Sequence, residues 1–139
     1  MSKEFEQISI KAGFMKHNGG VLFRNISENE YEFKAKITEN HLNAAGITHG
    51  GFICAVVDSG AGTAAHRSAG NSPCVTISLE LKFISPVKLG QELIGTTKIQ
   101  KKTKSMVFLT CELKTSDKIV ATASGVWKML KLAGAGPGG

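Results

Sequence analysis

The run from His49 to about Ser68 constrains the fold of this chain most. It contains no proline, opens with Phe52, Ile53, Cys54, Ala55, Val56 and Val57, and continues in small residues, Gly60, Ala61, Gly62, Ala64 and Ala65. Apolar residues fall nearly all round, so the run predicts a helix buried on most sides, and its small residues let strands or a second helix come close. Such a helix needs a sheet that wraps it. Asp58 is then the residue to explain, because a lone carboxylate on an apolar helix is costly unless something requires it.

Strand signals surround the helix. Val21 to Ile26 and Tyr31 to Ile37 are rich in branched and aromatic residues, and Ser27 to Glu30 supplies the turn of a hairpin. After the break at Gly70, Asn71, Ser72 and Pro73 come Cys74 to Ile84, Glu92 to Gln100, Ser105 to Lys114 and Lys118 to Leu130. Turns are expected at Pro86 to Gly90, Lys101 to Lys104 and Ser116 to Asp117. One buried helix and a set of antiparallel strands predict an α+β fold in which a curved sheet wraps the helix. With 139 residues, residues 1–131 are expected to form one domain, followed by a disordered glycine-rich tail at 132–139.

Charge and cysteine usage narrow the function classes. The net charge of +6 favours a polyanionic partner such as a phosphorylated cofactor. Nucleic acid is not expected, since no aromatic stacking pattern is interleaved with the lysines. MSKEFEQISI holds no uninterrupted apolar block, so neither a secretory signal nor a membrane span is expected, and the cytoplasm or an organelle matrix is the expected location. Cys54, Cys74 and Cys111 suit reduced, buried thiols. His17, His41 and His66 show no ligand spacing with one another or with the cysteines, so no metal site is predicted.

The start of the helix carries chemistry. Its first N–H groups lack intrahelical acceptors, and with the helix dipole they favour developing negative charge. An acyl transfer reaction needs such a donor at the carbonyl oxygen, and the Gly50 N–H is suited to it. Glycines packing tightly against a strand would look the same. Asp58 lies eight residues further on, about 12 Å along the axis. If both residues are catalytic, one helix cannot serve one carbonyl with both, whereas two antiparallel helices related by a twofold axis place Gly50 of one chain near Asp58 of the other. The alternative for Asp58 is a structural carboxylate that caps a neighbouring loop or hydrogen-bonds across the dimer. Asn43 could orient a water or a thioester, or bond its own backbone. Thr76 reads as an ordinary strand threonine, and Phe52, Val56 and Val57 suit either an acyl pocket or the core.

The run Asn43, Gly46, His49, Gly50, Gly51 and Asp58, followed by Val75, Thr76 and LELKFISPVKLGQELIG, resembles the hotdog-fold thioesterases of the phenylacetate-degradation type, including the thioesterase superfamily member 2 proteins, over roughly Val21 to Leu130. The resemblance implies the hotdog fold and an acyl-CoA thioesterase acting on an acyl- or aryl-acyl-CoA. It implies Asp58 as nucleophile or general base, the Gly50 N–H as oxyanion donor across a dimer interface, and Thr76 holding the water or Asp58. Asn43 and His49 would support the site. Coenzyme A, part of the substrate and not a separate cofactor, would be held by residues matching Phe83, Ile84, Ser85, Pro86, Val87 and Lys88, and by those matching Lys101, Lys102, Thr103, Lys104, Ser105 and Met106. Lysines at both turns would form a basic rim if the turns are neighbours. The chain departs from the pattern in having KKTK where many members place a glycine. A homodimer at least, and a homotetramer built as a dimer of dimers, is implied. Two other readings stay open: an acyl-thioester hydratase or dehydratase relying on His49, and a non-catalytic acyl-CoA sensor.

Overall fold

The computed structural model describes residues 4–130. The tail expected at 132–139 lies outside the described residues, as does residue 131. The chain order is β1 (Glu6–Gln7), α1 (Phe14–His17), β2 (Leu22–Ser27), β3 (Glu30–Lys36), a short 3-10 turn (Glu39–His41), α2 (Gly50–Ser68), β4 (Cys74–Phe83), β5 (Glu92–Lys102), β6 (Met106–Lys114) and β7 (Ile119–Met129). The strands form one antiparallel sheet in the order β1-β2-β3-β5-β6-β7-β4.

The helix touches β3, β4, β5, β6 and β7. Five strands at about 4.8 Å spacing are far wider than the roughly 10 Å diameter of a helix, so the sheet must curl around it. The expected α+β wrap is therefore the architecture found. Its core joins Phe52, Ile53, Val56 and Val57 of α2 to sheet residues such as Phe33, Leu93, Leu109 and Trp127. Two glycines make the tightest contact possible. A β-carbon at Gly60 would fall 2.3 Å from Cγ of Phe33, and one at Gly95 would fall 2.3 Å from its Cζ. The fully buried Phe33 ring thus fits only because both neighbours lack a side chain.

Three expectations need correction. The helix is not buried on most sides: its buried residues, Phe52, Ile53, Val56, Val57, Gly60, Ala61, Ala64 and Ala65, occupy one face. The opposite face carries Gly51, Cys54, Ala55, Asp58, Ser59, Gly62, Thr63 and His66, all exposed or half-buried. Small apolar residues made that face resemble core, and Asp58 is exposed in the single chain. Next, β5 does not end before the lysines. An irregularity between Ile99 and Lys101 lets the pairing with β6 continue through Lys102, which leaves 103–105 as the turn. Finally, only Cys111 of the three thiols is buried. Burial there pushes its pKa up to about 12, which makes it an inert core group.

β1, α1 and the 3-10 turn were not anticipated, because elements of two to four residues show no periodicity to read. The 3-10 turn matters for the site. His41 is buried, its Nδ1 accepts the Thr38 N–H at 3.0 Å, and its Nε2 lies 2.6 Å from the Asn18 carbonyl. Accepting at one nitrogen and donating at the other assigns a neutral ring with the proton on Nε2. That ring stacks on Phe52 at 3.6 Å between centroids, tying the loop to the first turn of α2.

Candidate functional site

The loop before α2 is held from both sides. Thr48 donates its N–H and its hydroxyl to the Val87 carbonyl at 2.9 and 2.8 Å, so the segment after β4 is fastened to the start of the helix. His49 is the N-cap, and its Nδ1 accepts the Gly51 N–H at 2.8 Å. The Phe52 and Ile53 N–H groups reach the His49 carbonyl at 3.0 and 3.3 Å. That accounting leaves one donor. Among the described residues the Gly50 N–H has no acceptor, so it is the open end of the helix dipole.

Asn43 lies beside it. Its Oδ1 accepts the N–H groups of Ala45 and Ile47 at 2.9 and 3.3 Å, which is an Asx-type turn shaping the loop. Its Nδ2 makes no hydrogen bond among the described residues. Asn43, Thr48, Gly50, Phe83, Ser85 and Val87 line a cleft of about 410 Å³. A β-carbon at Gly50 would meet the Phe83 ring at an ordinary 3.4 Å.

Asp58 opens on a different cleft, of about 470 Å³, shared with Ser59, Thr63, His66, Thr76 and Trp127. The Thr76 hydroxyl donates to Asp58 Oδ1 at 2.6 Å, leaving Oδ2 with no protein donor among the described residues. Such a short bond to a carboxylate fixes its rotamer strongly. Cys54, one turn before Asp58 on the same face, has its thiol pushed up by burial and, secondarily, by the Asp58 charge. It is therefore a poor nucleophile at neutral pH.

The structure brings Thr76 to Asp58 and Asn43 to Gly50, and keeps the two pairs about 12 Å apart along α2. The segments read as coenzyme A ligands are also apart. Phe83 to Val87 sit at the N-terminal end of α2, with Lys88 next in the chain, whereas Lys102 donates from Nζ to the Ser68 carbonyl at the C-terminal end at 2.8 Å. A 19-residue helix separates those ends by roughly 28 Å. The two turns are thus not neighbours within one chain. Lys102 caps the helix C-terminus, a position that the dipole favours for a cation, while Lys101, Thr103, Lys104 and Ser105 stay exposed and Met106 is half-buried. Phe52, Val56 and Val57 line neither cleft and belong to the core. Sequence reasoning overlooked Trp127, which reads as one more apolar strand residue, and the contact of His41 with Phe52. No group of three metal-ligating side chains occurs among the described residues, and no helix there is long and apolar enough to cross a membrane.

Comparison with known proteins identifies the family and the fold. Residues 45–122 match the family model described as Thioesterase superfamily. Acyl-coenzyme A thioesterase 13 of Mus musculus is 33% identical over 88 residues, which is 62% of this chain and 63% of the mouse protein. The chain thus matches less than two thirds of that relative's length. A Pseudomonas aeruginosa protein named as an esterase is 30% identical over 112 residues, 80% of this chain and 84% of the relative. Among solved structures, zebra fish thioesterase superfamily member 2 has a TM-score of 0.78 at 21% identity, covering 88% of this chain and 90% of that one. The phenylacetic acid degradation protein of Thermus thermophilus, as a point mutant, has a TM-score of 0.73 at 22% identity, covering 82% of this chain and 96% of that one. Motif, wrapped helix and family match converge: the chain belongs to the thioesterase superfamily and has its hotdog fold.

Proposed function

We propose that this protein is an acyl-CoA thioesterase that hydrolyses an acyl- or aryl-acyl-CoA to the free acid and coenzyme A, with each active site shared by two chains. One observation carries the reading. A single helix presents an unengaged N–H at Gly50 and a threonine-braced carboxylate at Asp58, in separate clefts, too far apart for one carbonyl. Pairing two α2 helices antiparallel through their open faces puts Gly50 of each chain opposite Asp58 of the other. Gly51, Cys54, Ala55 and Gly62 on that face permit close approach, and the neighbouring strand β4 ends the sheet with Ile77 54% exposed. The same pairing moves the β5–β6 turn of one chain toward the 83–88 segment of the other, so the lysines and the cleft would form one rim for the phosphates of coenzyme A. A dimer of dimers is the assembly expected.

In the reaction, the Gly50 N–H and the helix dipole stabilise the oxyanion as the carbonyl becomes tetrahedral. The partner chain's Asp58, held by Thr76, either attacks the carbonyl to form an anhydride that water then opens, or takes a proton from the attacking water. In the first route the thiolate leaves as the anhydride forms and water then releases the acid and frees Asp58; in the second the thiolate leaves as the tetrahedral intermediate collapses to the acid. His49 acts as the cap that spends the Gly51 N–H and leaves that of Gly50 free. This role gives no support to a hydratase in which the histidine is the base. The direct test is free-thiol release from short, medium, long and aryl-acetyl CoA esters. At least one class should turn over with kcat/KM above about 10⁴ M⁻¹s⁻¹, and silence across the panel would reject the activity.

The pairing has a separate test. Residue 54 lies midway between 50 and 58, so an antiparallel match of Gly50 with Asp58 sets Cys54 against Cys54 on the twofold axis. Copper-phenanthroline oxidation at alkaline pH, where the raised Cys54 thiol ionises, should give a covalent dimer at micromolar chain, and Cys54→Ser should abolish it. Small residues around Cys54 suit the close Cα approach of about 4.4–6.8 Å that a disulfide needs. A purely monomeric product, or a dimer that survives Cys54→Ser, contradicts the match.

A further inference from the structure

The peptide unit joining His49 to Gly50 carries the donor on which the proposed chemistry turns, and two contacts of a single residue flank it. On one side the His49 N–H donates to the His41 carbonyl at 2.8 Å. On the other, the His49 carbonyl, which belongs to that same peptide unit, accepts the Phe52 N–H at 3.0 Å. The Phe52 ring in turn lies against the His41 ring, 3.6 Å between centroids and 7° from parallel. His41 therefore holds the residue before the donor with its backbone, and the residue that pins the donor's peptide plane with its side chain. The loop between closes on the same base: Leu42 bridges Thr48, and the Asn43 N–H donates to the Ile47 carbonyl at 2.7 Å.

The His41 ring has little freedom of its own. It is 4% exposed, its Nδ1 edge is held by the Thr38 N–H, and its Nε2 edge by the carbonyl of Asn18, 23 residues upstream. An aromatic ring that accepts at one edge and donates at the opposite one is available only as neutral imidazole. Filling space beside Phe52 would not require that combination. His41 lines neither cleft, so its effect on turnover passes through the groups it holds.

Building on the thioesterase reading, we infer that His41 is a positioning residue of the hydrolysis: by gripping His49 and Phe52 it aims the Gly50 N–H at the developing oxyanion. Hydrogen bonds weaken steeply as their angle closes, and misplacing a catalytic group by 1 Å costs about 10²-fold. The benefit arises only once the carbonyl oxygen carries charge, so it belongs to kcat and leaves KM unchanged.

Three variants separate aim from stability. His41→Asn keeps an acceptor for the Thr38 N–H but removes the ring from Phe52. Phe52→Leu removes the same contact from the other side and leaves both hydrogen bonds of His41 in place. His41→Phe keeps the ring and strands both of its hydrogen-bond partners. All three should unfold at lower urea than wild type. Per folded chain, His41→Asn and Phe52→Leu should each lose about tenfold in kcat at unchanged KM, whereas His41→Phe should stay within about threefold of wild type. A residue that only stabilised the fold would leave kcat per folded chain the same in all four proteins, and that result overturns the inference, as does an equal loss in all three variants. The sharpest comparison uses Gly50→Pro, which removes the N–H itself. Adding His41→Asn or Phe52→Leu to it should cost at most about twofold more, because no donor is left to aim; losses that multiply would place the effect of His41 elsewhere and overturn the inference. A wild type inactive on every ester overturns the thioesterase reading, and the inference falls with it, whereas an active wild type with unaltered variants overturns the inference alone.

Discussion

Replacing Gly50 by proline is expected to abolish thioester hydrolysis without unfolding the protein, and mixing that variant with Asp58→Ala chains is expected to restore activity. Proline removes the one N–H at stake and is otherwise accommodated. Gly50 is the first residue of α2, where proline is common because its missing donor has no intrahelical acceptor. His49 before it is extended, at φ −63° and ψ 131°, the conformation that a following proline demands. Loss of an oxyanion donor costs about 10²–10³ in kcat, and loss of the carboxylate at Asp58 costs roughly 10²–10⁴. Each homodimer is then nearly silent. In a heterodimer one site combines the intact Gly50 of the Asp58→Ala chain with the intact Asp58 of the Gly50→Pro chain, while the other site lacks both. With random exchange half of the dimers are mixed and half of their sites are whole, so about a quarter of wild-type activity per site should return. Unfolding and refolding an equimolar mixture, followed by free-thiol release, measures it. Recovery no greater than the sum of the two variants would show that both groups serve the same chain's substrate.

The second large effect concerns stability. Gly60→Ala is expected to destabilise the fold by about 3 kcal/mol, at the upper end of typical overpacking costs, although alanine is the better helix former by about 1 kcal/mol. The opposing terms can be weighed from the contact itself. A new methyl at Gly60 would stand 2.3 Å from Phe33 Cγ, and the ring cannot retreat because its far end is already over Gly95. Sterics should therefore outweigh propensity. Phe33→Leu in the Gly60→Ala background should recover part of the loss, whereas Phe33→Ala alone should cost about 3–5 kcal/mol by opening a cavity. Urea unfolding of the parent, Gly60→Ala, Phe33→Leu and the Gly60→Ala/Phe33→Leu double variant gives the coupling energy directly. A Gly60→Ala protein as stable as the parent would mean that the ring has room the structure does not show.

These two sites differ in how far they could be read from the chain alone. The helix, the hairpin before it and the four long strands after it are periodic enough to be placed within about two residues of their observed ends. Asn43, Gly50 and Asp58 stand out because amides, glycine pairs and lone carboxylates are unusual around an apolar helix. What that pattern conceals is exposure. Cys54, Ala55 and Gly62 count as apolar whether they face a core or await another surface, so Asp58 looked buried when it is open. Spatial neighbours separated widely in sequence were equally concealed. The lysine turn and the 83–88 segment would form one rim if they were neighbours, yet they stand at opposite ends of α2, because the 11-residue strand β5 runs between them. Trp127 gave no hint at all. The seat of its ring depends on Gly62 and Gly125, and no strand pattern records what a glycine on another element permits.

The division of Gly50 and Asp58 between two clefts also bears on how output follows abundance. On the proposed pairing, a newly made chain carries every group the chemistry needs and can use none of them until it meets a second copy. Below the dimer dissociation constant, total turnover then rises with the square of chain concentration and not in proportion to it. Scarce protein would spare the cell's thioesters almost entirely, and a modest rise in synthesis would draw them down steeply, a threshold that needs no effector.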